Sequence, residues 1–128
     1  MFAIVVRFDL KDETAASGFD ALVETTLSAI QALEPDTLVY AVHMVEGASL
    51  SRVFYELYTS RDAHRQHEAT EHTKRFLIEG KEYVESVRVE FLDAPRGMVK
   101  ICGSACLTPL AGHLLVDLGR LVVPQVCR

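Results

Sequence analysis

A chain of 128 residues is the size of a single domain and can bury a core without disulfide support. Its residues are 49% hydrophobic and 24% charged, an ordinary globular mix that excludes a disordered or fibrous chain. The formal net charge of -5 excludes nucleic acid as a main partner, because phosphate binding needs a basic footprint.

The cysteines, Cys102, Cys106 and Cys127, are odd in number, and C-x-x-x-C is not a usual zinc spacing. They read as reduced thiols of a cytoplasmic protein. The start, M-F-A-I-V-V-R-F-D, has no basic segment before its apolar run and no small-residue cleavage site after it, so no export signal is expected. The most apolar region, Ala105 to Val126, is interrupted by His113, Asp117 and Arg120. It falls short of the roughly 20 apolar residues that a membrane span needs.

In chain order, Phe2 to Leu10 is apolar nearly throughout and predicts a strand covered on both faces. Lys11 to Thr14 is a polar turn, with Thr14 or Ser17 as the cap of the first helix. Phe19, Leu22, Val23, Leu27, Ile30 and Leu33 recur at spacings of three and four and predict an amphipathic helix over Ser17 to Leu33. Glu34-Pro35-Asp36 ends it, since a residue before proline avoids the helical region. Two β-rich runs come next, Leu38 to Val45 and Val53 to Tyr58, joined through Glu46-Gly47-Ala48-Ser49. On the first, Leu38, Tyr40, Val42 and Met44 share a face opposite Val39, Ala41, His43 and Val45; on the second, Arg52, Phe54, Glu56 and Tyr58 share a face. A second helix is expected from Ser60 or Arg61 to Gly80. Its first part is polar, with Ala63 and Ala69 the only hydrocarbon side chains from Arg61 to Lys74. Tyr83 to Leu92 reads as a fourth strand, and residues 93–97 as a loop.

The order β-α-β-β-α-β is the split βαβ pattern of an α+β, ferredoxin-like sandwich with an antiparallel sheet. The strands are apolar on both faces, so the face without helices predicts a homodimer packed sheet to sheet. The domain spans residues 1–97. Residues 98–128 form an extra C-terminal segment: Val99, Ile101 and Cys102 extend a strand, and Leu110 to Val123 has helical spacing. That segment is expected to pack on the domain or on the partner subunit.

The pieces E-P-D-T-L-V-Y-A-V-H, F-Y-E-L-Y and R-D-A-H-R-Q-H-E-A-T-E-H-T-K-R-F resemble the antibiotic biosynthesis monooxygenase family of dimeric α/β barrels. The resemblance covers about residues 2 to 93. It implies a cofactor-independent monooxygenase that uses dioxygen to oxidise a polycyclic aromatic or quinol-type intermediate to a quinone, as in polyketide antibiotic metabolism. In the anthrone oxygenases of the family an Asn, a Trp and a Tyr form the site motif; the matching places hold Phe54, Tyr58 and His64, so that subgroup's amide is missing. In the haem-degrading members a helical His ligates iron; its place falls at about Leu77, so haem is not expected.

The stretch from Pro35 to Phe76 holds four of the five histidines and three of the four tyrosines, and any chemistry is expected there. His64 and His67 are i,i+3 neighbours on one helix face, while His72 lies about 140° round from His67. The alternative to a site is a solvated helix face. Metal binding is not expected, because no two histidines are at i,i+4. His67 comes four residues after Ala63 and coincides with the family's recurrent His, so it is the first candidate for a proton acceptor. His64 and Tyr58 complete the expected catalytic group. Phe54, Arg52, His43, His72 and Phe76 are the expected substrate contacts, with Arg52 as the partner of a buried Glu56. Two other functions fit the same residues: a non-oxidative isomerase or cyclase, and a small-molecule-binding accessory protein without catalysis.

Overall fold

The computed structural model describes residues 1–97; the expectations placed on residues 98–128 lie outside the described residues. The elements are β1 (Phe2–Leu10), α1 (Glu13–Leu33), β2 (Thr37–Val45), β3 (Ala48–Tyr58), α2 (Arg61–Ala69), α3 (Glu71–Gly80) and β4 (Val84–Leu92). All strand pairings are antiparallel, in the order β2-β3-β1-β4, which gives a ferredoxin-like sheet with β1 and β3 at its centre.

Alternation along β1 divides its side chains between two faces. Phe2, Ile4, Val6, Phe8 and Leu10 enter one core with Phe19, Leu22 and Val23 of α1, Phe54 and Tyr58 of β3, Ala63 of α2 and Phe76 of α3. The register carries this face across the sheet. Glu56 stands opposite both Tyr40 and Ile4, and Ile4 opposite Phe91. Phe54 stands opposite Val42 and Val6, and Val6 opposite Val89. A single carboxyl is thus built into the middle of an apolar sheet face.

Three local expectations are corrected. Helix α1 begins earlier than Ser17, because Asp12, not Thr14 or Ser17, is its cap: the Asp12 side chain accepts from the Ala15 N–H at 2.8 Å. Strand β3 begins at Ala48 rather than Val53 because the reversal needs only Glu46-Gly47, with Gly47 at φ +74, a region open to glycine. The expected single second helix is two. Thr70 is extended at ψ 151, ends α2 and caps α3, its hydroxyl accepting from the Thr73 N–H.

Helix α1 approaches the connection before β4 closely. A Cβ on Gly18 would lie 2.5 Å from Cε1 of the Tyr83 ring, so only glycine lets the two surfaces meet.

Candidate active site

Helices α2 and α3 and the helix-facing side of the sheet enclose a cavity of about 560 Å³. Its walls are mostly apolar, including Ile4, Val6, Phe54, Phe76, Val89 and Phe91. Tyr40, Glu68 and Lys81 reach the lining from less buried positions, and four further polar side chains face the cavity: Glu56 from β3, His64 and His67 from α2, and Thr73 from α3. These four are all buried in the fold. The open rim carries Leu77, Val87, Val89 and Phe91, which are large and exposed.

The break at Thr70 explains how His67 and His72 come together. On one continuous helix they would diverge by about 140°. In the broken one, both reach the same carboxylate, Glu34, just beyond the last turn of α1. His67 Nδ1 lies 2.8 Å from Glu34 Oε2, and His72 Nε2 bonds the other oxygen. The Thr37 hydroxyl donates to Oε2 at 2.7 Å. Burial raises the Glu34 pKa, but the hydrogen bonds from Thr37, His72 and His67 outweigh it and hold the group below its ordinary value.

With Nδ1–H given to Glu34, Nε2 is the His67 nitrogen left to accept a proton. The Thr73 hydroxyl lies 3.4 Å from each ring nitrogen, too far to compete strongly. Burial pulls the His67 pKa below its ordinary value, and Glu34 only partly restores it, so the ring is neutral and ready to accept near pH 7. His64 is also shifted down by burial, with Glu68 opposing. The two imidazoles stack with centroids 6.5 Å apart, and His64 meets the Tyr58 ring edge-on at 5.1 Å.

Glu56 is only 4% exposed and has no cationic partner among the described residues. Its Oε2 accepts the Tyr58 O–H at 2.5 Å. Burial raises its pKa to about 7, against the hydrogen bonds of Tyr58 and Tyr40 that favour the anion. Burial and the neighbouring Glu56 also raise the pKa values of Tyr58 and Tyr40 above the ordinary phenol range. Near neutral pH this corner therefore offers neutral imidazoles, neutral phenols and a carboxyl that is partly protonated.

Of the residues singled out from sequence, Phe54, His64, His67 and Phe76 line the cavity. Tyr58 is fully buried behind it. His72 stands in the layer behind His67, on Glu34. Arg52 is corrected: it does not partner Glu56 but makes a two-pronged bond to Asp20 of α1, at 2.8 and 2.9 Å. Four residues along a strand span about 13 Å, so Arg52 and Glu56 share a face without meeting. His43 is corrected as well: it pairs with Val53 on the opposite sheet face and is exposed there. Glu34, Glu56 and Thr73 were missed as site residues. Glu34 read only as a helix stop, and its partners lie 33 and 38 residues away. The signal for Glu56 was a carboxylate on a strand face otherwise apolar at its neighbours.

Among the described residues no group of three or more His, Cys, Asp or Glu side chains is arranged to hold a metal ion, and no helix is long and apolar enough to cross a membrane.

No curated protein matches the chain. Among solved structures, a Caulobacter crescentus protein provisionally named an antibiotic biosynthesis monooxygenase superposes with a TM-score of 0.70 at 23% identity, covering 74% of this chain and 90% of that one. A Mycobacterium tuberculosis protein gives 0.68 at 23% identity, covering 77% and 98%. A conserved protein from Methanosarcina mazei gives 0.66 at 14% identity, covering 71% and 89%. At such identities these likenesses speak for the fold. The family model described as antibiotic biosynthesis monooxygenase matches residues 1–77, more than half of the sequence, and the chain belongs to that family.

Proposed function

We propose that the protein is a cofactor-independent monooxygenase acting on a flat, electron-rich aromatic of the anthrone or quinol type, with His67 as the base. The observation that carries this is the Glu34–His67 pair, fixed by a 2.8 Å bond at the wall of an apolar cavity. A neutral imidazole oriented by a buried carboxylate is suited to take a proton from an activated C–H or a phenol. Glu34 steadies the imidazolium that results. The aromatic walls suit a planar ligand.

With an anthrone as substrate, His67 Nε2 removes a proton from the CH₂ carbon. The carbanion gives one electron to dioxygen, the radical pair combines, and the peroxide takes the proton back. Loss of the second C–H proton to His67, with cleavage of the O–O bond, leaves C=O on the substrate, and hydroxide departs as water. One dioxygen is consumed, one of its atoms enters the product, and the substrate supplies all the electrons. His72 acts through Glu34, and Tyr58 through Glu56.

We place the protein as a homodimer packed through the outer sheet face, where Val5, Val39, Ala41, Val53 and Tyr55 are half-buried in the single chain. Sedimentation at micromolar concentration tests this, and a monomer would contradict it.

The test of function is oxygen uptake with anthrone by chelator-treated, colourless protein. One dioxygen consumed per anthrone supports the proposal; a rate restored only by added metal or flavin would overturn it. The pairing of a base at His67 with a proton donor at Glu56 also suits an isomerase, which would turn its substrate over without dioxygen; undiminished turnover under strict anaerobiosis would favour that reaction.

A further inference from the structure

The cavity contains one buried acid that the proposed oxygenation does not use directly. We infer that Glu56, in its protonated form, is a hydrogen-bond donor to the oxygen of the bound aromatic, so that the preferred ligand is a planar polycycle bearing a carbonyl or an ionised enol at the Glu56 end. This rests on the proposed function for its catalytic meaning, but the binding it describes can be tested alone.

The geometry is specific. Glu56 stands in the row Tyr40–Glu56–Ile4–Phe91 across the helix-facing side of the sheet and lines the cavity. Its Oε2 is occupied as an acceptor by the Tyr58 hydroxyl. Its cationic neighbour on the strand, Arg52, is turned to Asp20. A carboxylate left in such a place lacks both water and a counter-charge, which favours the neutral acid. A neutral carboxyl that accepts the Tyr58 and Tyr40 hydroxyls still has one O–H of its own to give. The phenols of Tyr40 and Tyr58 keep their own protons, since their pKa values are raised, and so remain donors toward Glu56.

Proton abstraction by His67 places negative charge on the oxygen conjugated with the attacked carbon. A donor aimed at that oxygen stabilises the anion more than the neutral substrate, and so lowers the barrier. His67 and Glu56 then divide the work: one removes the proton and the other receives the charge. Other titratable or charged groups around Glu56 are Tyr40 from β2, Glu34 before β2, Tyr58 from β3, and His64, His67 and Glu68 from α2, with Lys81 on the wall of the same cavity. The two carboxylates among them, Glu34 and Glu68, both disfavour ionisation of Glu56.

The test compares binding of 9-fluorenone, a flat ketone that does not titrate, with fluorene, the same frame without the oxygen. The parent is expected to prefer fluorenone by about five- to tenfold below pH 7, the range of one neutral hydrogen bond, and to lose the preference above about pH 8. Glu56→Gln keeps a donor that does not titrate, so its preference should persist at both pH values. Glu56→Leu should have none. A pH-independent preference in the parent, or a preference retained by folded Glu56→Leu, would overturn the inference. Should Glu56→Leu fail to fold, the contrast between the parent and Glu56→Gln decides alone. Turnover of anthrone separates the two claims. If the binding pattern holds and no anthrone is oxidised, the proposed function fails and the Glu56 donor stands. If anthrone is oxidised as well by Glu56→Leu as by the parent, the donor role fails and the proposed function stands.

Discussion

Glu34 and His67 lie 2.8 Å apart, Oε2 to Nδ1, and both side chains are less than a tenth exposed. One residue ends α1 and the other sits on α2, so the bond fastens the polar helix to the remainder of the core. Glu34→Gln keeps the size of the side chain but removes the charge that steadies a protonated His67. Turnover is expected to fall by about 10- to 100-fold, a part of what one acid–base group contributes. KM for anthrone should stay within about twofold, because Glu34 does not line the main cavity. A raised KM with unchanged kcat would show that Glu34 shapes the pocket instead.

Glu56 and the buried histidines pull stability in opposite directions with pH. The Glu56 pKa is about 7 in the fold against 4.5 for the free side chain, so the folded state retains a proton that the unfolded chain has lost. Its contribution is present below pH 4.5 and is lost as pH rises to about 7, by about 3 kcal/mol in all. The pKa values of His64 and His67 are lowered, so their contribution is present above pH 6.5 and is lost as pH falls through the folded values. In Glu56→Gln the histidine effects remain and the carboxyl effect is gone. The stability of the variant relative to the parent should therefore rise by about 3 kcal/mol between pH 4.5 and 7.5 in urea melts. A difference that stays flat across that range would mean that Glu56 titrates as an ordinary carboxyl.

Gly18→Ala reverses the usual sign of its substitution. In a helix interior alanine is normally better than glycine by about 1 kcal/mol. Here the new methyl would lie 2.5 Å from the Tyr83 ring, and overpacking of this kind costs about 1 to 3 kcal/mol. A net loss of stability is expected. In a Tyr83→Leu background the same substitution should be neutral or stabilising, a coupling visible in a double-mutant cycle. Stabilisation by Gly18→Ala alone would show that the ring moves aside freely.

The sequence made most of the frame legible. The continuous apolar run of β1, the three-and-four spacing of α1 and the alternation of β2 and β4 each name their element with little competition. The boundaries that failed share a cause. Asp12 and Thr70 are helix caps set among polar residues that could serve as well, and their choice depends on where the neighbouring chain must go. Ala48-Ser49-Leu50 lacks β-branched residues, and strand pairing with β2 decides it. The site was legible in its histidines and aromatics, because a polar helix bearing His64 and His67 stands out from packing. Its carboxylates were not. Glu34 is joined to His67 and His72 by the break at Thr70, and no local pattern announces a contact over more than 30 residues. Arg52 is satisfied by Asp20 through the packing of α1 on the sheet, which left Glu56 without a counter-charge.

The central claim, that His67 takes a proton from a ligand in this cavity, is tested most directly without dioxygen. Under strict anaerobiosis in heavy water, the protein should accelerate exchange of the CH₂ hydrogens of anthrone for deuterium, monitored by proton NMR. His67→Ala should lose about 10²- to 10⁴-fold of that acceleration, while its melting curve shows a loss of only about 1 kcal/mol. The parent rate should fall on acidification through a pKa below 6.5, and the variant should lack that limb. Exchange that proceeds equally fast in folded His67→Ala, with the same dependence on pH, would contradict the assignment of His67 as the base.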